Sequence, residues 1–172
     1  MRKFSVNMFV SSIILLLAAV PFASSSKNRF TQAATVTHYL SVNYQNVQWQ
    51  KIVPELGADS PEIAILRIDP KTQATHLLIR NSRKMHVPSH WHIANETHTI
   101  LAGTMVFECE GKRDVLGPGS FNFIPARMAH QAWLPDGGLV LITVDSSWDI
   151  NWVAAPPTSG DIGVDPPRNP AI

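Results

Sequence analysis

Cysteine is almost absent from this chain: Cys109 is the one example among 172 residues. No internal disulfide can form, so stability has to come from packing. Charge of one sign is missing too. Lys and Arg number 14 against 13 Asp and Glu, a net charge of +1. The basic residues form no stripe interleaved with aromatics, which excludes a nucleic-acid surface. Beyond residue 24 there is no long helical hydrophobic period, and no internal repeat at a solenoid spacing. The length is that of one domain with enough chain to bury a good core.

The one long apolar run lies at the N-terminus. Arg2 and Lys3 precede "MFVSSIILLLAAV", then Pro21 breaks the run and "FASSS" supplies small residues. Basic, apolar and small-residue regions in that order read as a secretory signal peptide over residues 1–25, with cleavage near Ser25. The alternative is a single N-terminal membrane anchor, but the run is short for a stable one. A single Arg in the basic region rules out a twin-Arg signal. The expected location is therefore secreted or periplasmic, with no stable membrane anchor. In "TMVFECE", Met105, Phe107 and Cys109 share one face of a period-2 strand, and Cys109 reads as a buried structural thiol rather than a reactive one.

Residues 26–46 are polar and irregular and read as a linker. Residues 154–172, "AAPPTSGDIGVDPPRNPAI", are rich in Pro and Gly; this tail is expected to form no helix and to run extended or unordered. Between them, residues 47–153 carry short strand signals: "VQWQKIV", "EIAILRI", "THLLIR", "TMVFECE", "SFNFIP", "HQAWL" and "LVLITV". They are separated by turn signals such as "DP", "EGK", "GPGS" and "PDGG". This spacing predicts an all-β sandwich or barrel.

Two of the seven histidines lie one residue apart in "HWHIANE". On a strand, positions i and i+2 face the same side, about 6.6 Å apart. His90 and His92 would converge there, with Trp91 on the other face. Glu96 follows after room for a bend, and its carboxylate can return to the same point. Two imidazoles and a carboxylate suit a metal with nitrogen ligands at about 2.1 Å; a polar exposed strand is the plainer alternative.

Further on, "GSFNFIPARMAH" brings in His130. With it the chain resembles the cupin superfamily. His90, His92, Glu96 and Gly103 fall at the spacing of the first cupin motif, and Gly119, Pro125 and His130 at that of the second. "HWHIANE", "PARMAHQAW" and "SSWDINWV" look like small exported single-domain cupins, and the likeness covers roughly residues 47–153. It departs from the pattern at two turn glycines, replaced by Lys84 and Arg127. The resemblance implies an all-β fold, the double-stranded β-helix or jelly-roll barrel. It implies one divalent metal inside, held by His90, His92, Glu96 and His130. Three imidazoles and one carboxylate leave about two positions open on a six-coordinate ion and suit Mn, Fe, Ni, Co or Zn.

Around this centre, His98 shares the face of Glu96 and is a candidate substrate-binding or acid–base group; a hydrogen-bonded wall histidine is the alternative. Phe107, Phe121, Phe123 and Trp133 alternate as a barrel lining would, though plain core packing is the favoured reading. Arg127, a long cation at a turn before His130, is a candidate contact for an anionic ligand. The sequon at Asn95 falls inside the metal loop and reads as incidental. The expected function is metal-dependent oxygenase or isomerase chemistry on a small, in some readings anionic, organic molecule. The competing reading is metal or ligand binding without turnover. A homodimer is expected, because an open jelly roll has sheet edges to protect, "VQWQKIV" among them.

Overall fold

The structure, a computed structural model, describes residues 38–168; the expected signal peptide at 1–25 lies outside the described residues. Eleven strands run β1 (Gln50–Lys51), β2 (Glu62–Ile68), β3 (Thr75–Asn81), β4 (Met85–Trp91), β5 (Glu96–Gly103), β6 (Met105–Cys109), β7 (Lys112–Leu116), β8 (Phe121–Ile124), β9 (His130–Leu134), β10 (Gly138–Val144) and β11 (Asn151–Trp152). Among the described residues the only helices are short 3-10 turns, and no helix is long and apolar enough to cross a membrane.

The strands form two antiparallel sheets. One has the order β1-β2-β3-β10-β5-β8, the other β11-β4-β9-β6-β7. This is the jelly-roll sandwich the sequence led us to expect. Alternation fills the space between the sheets. Val140, Ile142 and Val144 on β10, Leu77 on β3 and Ile100 on β5 meet Met105 and Phe107 on β6 and Ala132 on β9. The two sheets are closed at one end by tight turns. Gly103 has φ +79°, and a Cβ there would lie 2.5 Å from the Gly137 carbonyl oxygen, so glycine is required where these two turns touch.

Three strands lack a plain sequence signature. β4 carries Pro88 in its middle, next to a register shift between Val87 and His90; a bulge is where a sheet tolerates a residue with no N–H. β5 turns Glu96, His98 and Ile100 inward, so its buried face begins with polar residues. β7 is an edge strand with no fully buried residue.

The C-terminal segment is more structured than an extended tail. After β10 the chain brings Trp148 into the interior, then adds β11 to the edge of the second sheet. Beyond, a 3-10 turn at Ser159–Asp161 is closed by a reciprocal Thr158–Asp161 cap. Asp161 Oδ1 lies 2.9 Å from His86 Nδ1, and Gly163 N–H donates to the Lys84 carbonyl at 2.9 Å. Lys84 pairs with Asp165, and Arg113 donates to the Pro167 carbonyl at 2.7 Å. The tail is thus a strap laid across β4 and toward β7.

Candidate metal centre

His90 lies on β4, His130 on β9, and the two are direct cross-strand partners. His92 follows just past the end of β4, and Glu96 opens β5. All four are buried. One ring nitrogen from each of His90, His92 and His130 lies within 4.8 Å of the others. Glu96 joins them through its Oε2, 3.2 Å from His92 Nε2 and 3.5 Å from His130 Nε2.

The rings are held in one sense. His90 Nδ1 lies 2.8 Å from the Pro88 carbonyl and His130 Nδ1 lies 3.0 Å from the Met128 carbonyl. His92 Nδ1 meets the Asp149 carbonyl. A carbonyl only accepts, so each Nδ1 carries the proton and each Nε2 keeps its lone pair. That is how imidazoles are fixed for metal ligation. Local sequence sets two of these contacts: the carbonyl two residues back serves both His90 and His130.

Electrostatics favour the neutral, ligating state at two of the three histidines. Burial, reinforced by the neighbouring His130, pushes His90 down to about 3, and burial takes His130 down to about 4. Both are therefore neutral at physiological pH. Burial also works to lower His92, but the Glu96 carboxylate beside it outweighs that and raises it. For Glu96, burial is opposed by the positive potential of His98 and His92, which holds the carboxyl well below its usual range.

His92 Nε2, His130 Nε2 and Glu96 Oε2 are buried with no aligned hydrogen-bond partner. Unsatisfied buried acceptors each cost on the order of 1–3 kcal/mol. A divalent cation would answer all of them at once, so the residues present fit a metal.

Residues 83–144 match the family model for a cupin domain. The barrel is a cupin. It is similar in fold to an RmlC-like cupin from Shewanella frigidimarina (TM-score 0.54, 18% identity, 64% of this chain and 93% of that one). KdgF from Halomonas sp. gives a TM-score of 0.52 at 20% identity over 63% of this chain and 94% of that one. The polyketide cyclase RemF from Streptomyces resistomycificus gives 0.54 at 21% identity over 69% and 87%. A comparison with curated proteins gives no match.

A cavity of about 80 Å³ opens at the cluster of His90, His92, Glu96 and His130. His98 lines it, with Nε2 3.3 Å from Glu96 Oε2 and Nδ1 buried and unpartnered. Phe107 lines it too, its ring centroid 5.4 Å from that of His130. Trp148, Ile150 and Trp152 complete one wall. They come from "SSWDINWV", a stretch with no strand or ligand signal of its own. Trp152 lies 5.1 Å from His90, and Trp148 lies 6.2 Å from His92, centroid to centroid.

Three expectations need correction. Trp133 does not line the cavity. His130 points inward, so by strand parity Ala132 and Leu134 face the cavity with it. Trp133 instead stacks on His86 at 4.8 Å, with the Arg113 guanidinium over its ring. Phe121 and Phe123 are exposed on β8. Arg127 is exposed in the β8–β9 turn and is absent from the cavity wall. The turn itself is kept: Arg127 has φ +65° and its N–H donates to the His92 carbonyl at 2.7 Å. Its place is one of backbone geometry beside a ligand.

Cys109 is half-buried, and burial pushes its thiol up, away from reactivity. The Asn95 amide is fully engaged: Nδ2 donates to Asp145 at 2.6 Å and Oδ1 accepts from Ala126 N–H at 2.9 Å. A glycan there would break the clamp that joins the metal loop to two other turns.

Proposed function

We propose that this chain is an exported mononuclear metal-binding cupin acting on a small organic molecule held in the cavity beside the metal, as an oxygenase or an isomerase. The carrying observation is the common tautomer of His90, His92 and His130, with three lone pairs directed into one buried space. Glu96 adds one negative charge there. When bound, a divalent metal supplies Lewis-acid polarisation of a substrate oxygen or, if redox-active, electron transfer. The chain's own part is positional. Backbone carbonyls lock the imidazoles, His98 stands beside Glu96 as a proton donor or acceptor, and Trp148 and Trp152 exclude water from the site.

A second reading, ligand binding without turnover, is supported by the makeup of the wall. Beyond His98 and the four candidate ligands, no described residue lining the cavity is an acid, a base or a nucleophile.

The test is metal analysis of protein purified from its own compartment, alongside His92→Ala. One divalent ion per native chain and none in a folded variant is the expected result. Unchanged metal in the variant would sink the assignment. A redox-active ion favours the oxygenase, and zinc the isomerase. Export rests on the signal-peptide pattern and is tested by mass spectrometry of the mature N-terminus; an intact Met1 in membranes would argue for an anchor. The homodimer is supported by short, open edge strands such as β1; a monomer by light scattering at micromolar concentration would refute it.

A further inference from the structure

We infer that the cavity selects a ligand with one oxygen-bearing head group at the metal cluster and an uncharged, apolar body, and that it rejects a second charge on that body. The inference rests on the metal reading above and adds the class of ligand.

The cavity wall is divided sharply. Its polar groups are gathered at one end, in His90, His92, Glu96, His98 and His130. The remainder is apolar from every side: Ile79 and Val140 from one sheet, Val87 and Met105 from the other, Trp148 and Trp152 from the closing loop. Asn81 is the single polar exception, and its Nδ2 is turned to the Met85 sulfur at 3.0 Å. Aromatic rings press directly on the imidazoles, Phe107 on His130 and Trp152 on His90. A ligand leaving the metal therefore enters apolar surroundings at its first atoms.

No described lining residue is Lys or Arg. The cations nearest in sequence to the lining strands are engaged elsewhere: Arg80 with Glu62, Lys84 with Asp165, Arg113 with Glu108. Arg127 is exposed in its turn. Charge counting then sets a limit. A divalent ion and the Glu96 carboxylate leave one positive charge, enough to balance one anionic head. A second anion on the body would be buried without a partner, which proteins avoid. The size allows a modest body. One water requires roughly 10–15 Å³ on this measure, and the cavity offers about 80 Å³.

The probes are hexanoate and adipate, which share a carboxylate head and a carbon chain and differ in a distal methyl against a distal carboxylate. Full-length mature protein loaded with Co²⁺ is titrated with each. Quenching of Trp148 and Trp152 fluorescence reports occupancy of the wall, and the visible Co²⁺ spectrum reports the head group. Hexanoate should bind at least ten-fold more tightly than adipate. Ile150→Arg, at the half-buried rim of the same wall, should narrow or reverse that ratio while the metal stays bound. Adipate binding as tightly as hexanoate to native metal-loaded protein would overturn the inference and leave the metal site standing. Failure to bind any metal would remove the reading beneath it as well.

Discussion

His90 and His130 face each other across paired strands, and each donates its Nδ1 proton to the carbonyl two residues before it in the chain. The acceptors are Pro88 at a bulge and Met128 in a turn. Both are backbone groups, so ring orientation survives side-chain variation around them. The two lone pairs meet in a space from which burial has already removed protons.

Glu96→Gln keeps the shape of the carboxylate and removes its charge. Metal affinity should fall at least ten-fold, since a charged ligand oxygen is replaced by a neutral one. The barrel should remain folded. Competition with a chelator of known affinity gives the first quantity, and far-UV circular dichroism the second.

Arg127→Gly restores glycine at φ +65°. A non-glycine residue there costs on the order of 1 kcal/mol, so urea unfolding should show equal or greater stability, by up to about that amount. Because Arg127 is outside the cavity wall, metal content and affinity for hexanoate and other small anions should not change. A large loss of anion binding would return Arg127 to the site.

Trp133→Ala removes a buried ring held between His86 and Arg113. The expected loss is about 3–5 kcal/mol by chemical denaturation. Metal stoichiometry at a temperature where the variant is folded should stay at the native value, because the ring lies on the far side of the sheet from the centre.

The strap should respond to acid. Burial tends to raise the Asp161 carboxyl, but hydrogen bonds from Thr158 and His86 outweigh it and hold the group below its ordinary value. A depressed carboxyl contributes stability above the ordinary value, roughly pH 4, and loses it as pH falls through the folded one. The amide protection factor at Gly163, the intrinsic exchange rate divided by the observed one, should be high at neutral pH and fall below about pH 4. In Asp161→Asn it should be lower at neutral pH and nearly flat over the same range.

The clustering of His90, His92 and Glu96 was legible because these residues are set by short spacings: two histidines on one strand face, and a glutamate one bend later. The second sheet's parity was legible too, though only with His130 taken as the fixed point. Once His130 faces inward, Trp133 cannot. β8 shows the limit of alternation: it separates Phe121 and Phe123 from Asn122 and Ile124 without saying which pair faces the core. β5 was hidden by its polar residues, since Glu96 and His98 occupy inward positions that a hydrophobic pattern would fill. The strap was invisible for another reason. Asp161 meets His86 across 75 residues of sequence, and a Pro- and Gly-rich composition carries no trace of such a contact.

The claim that three imidazoles and one carboxylate hold the ion is tested most directly by X-ray absorption at the zinc edge of protein loaded with one equivalent of Zn²⁺. The expected first shell contains three nitrogens with imidazole outer-shell scattering and at least one oxygen, at about 2.0–2.2 Å. A shell of oxygens alone, or one containing sulfur from Cys109, would contradict it.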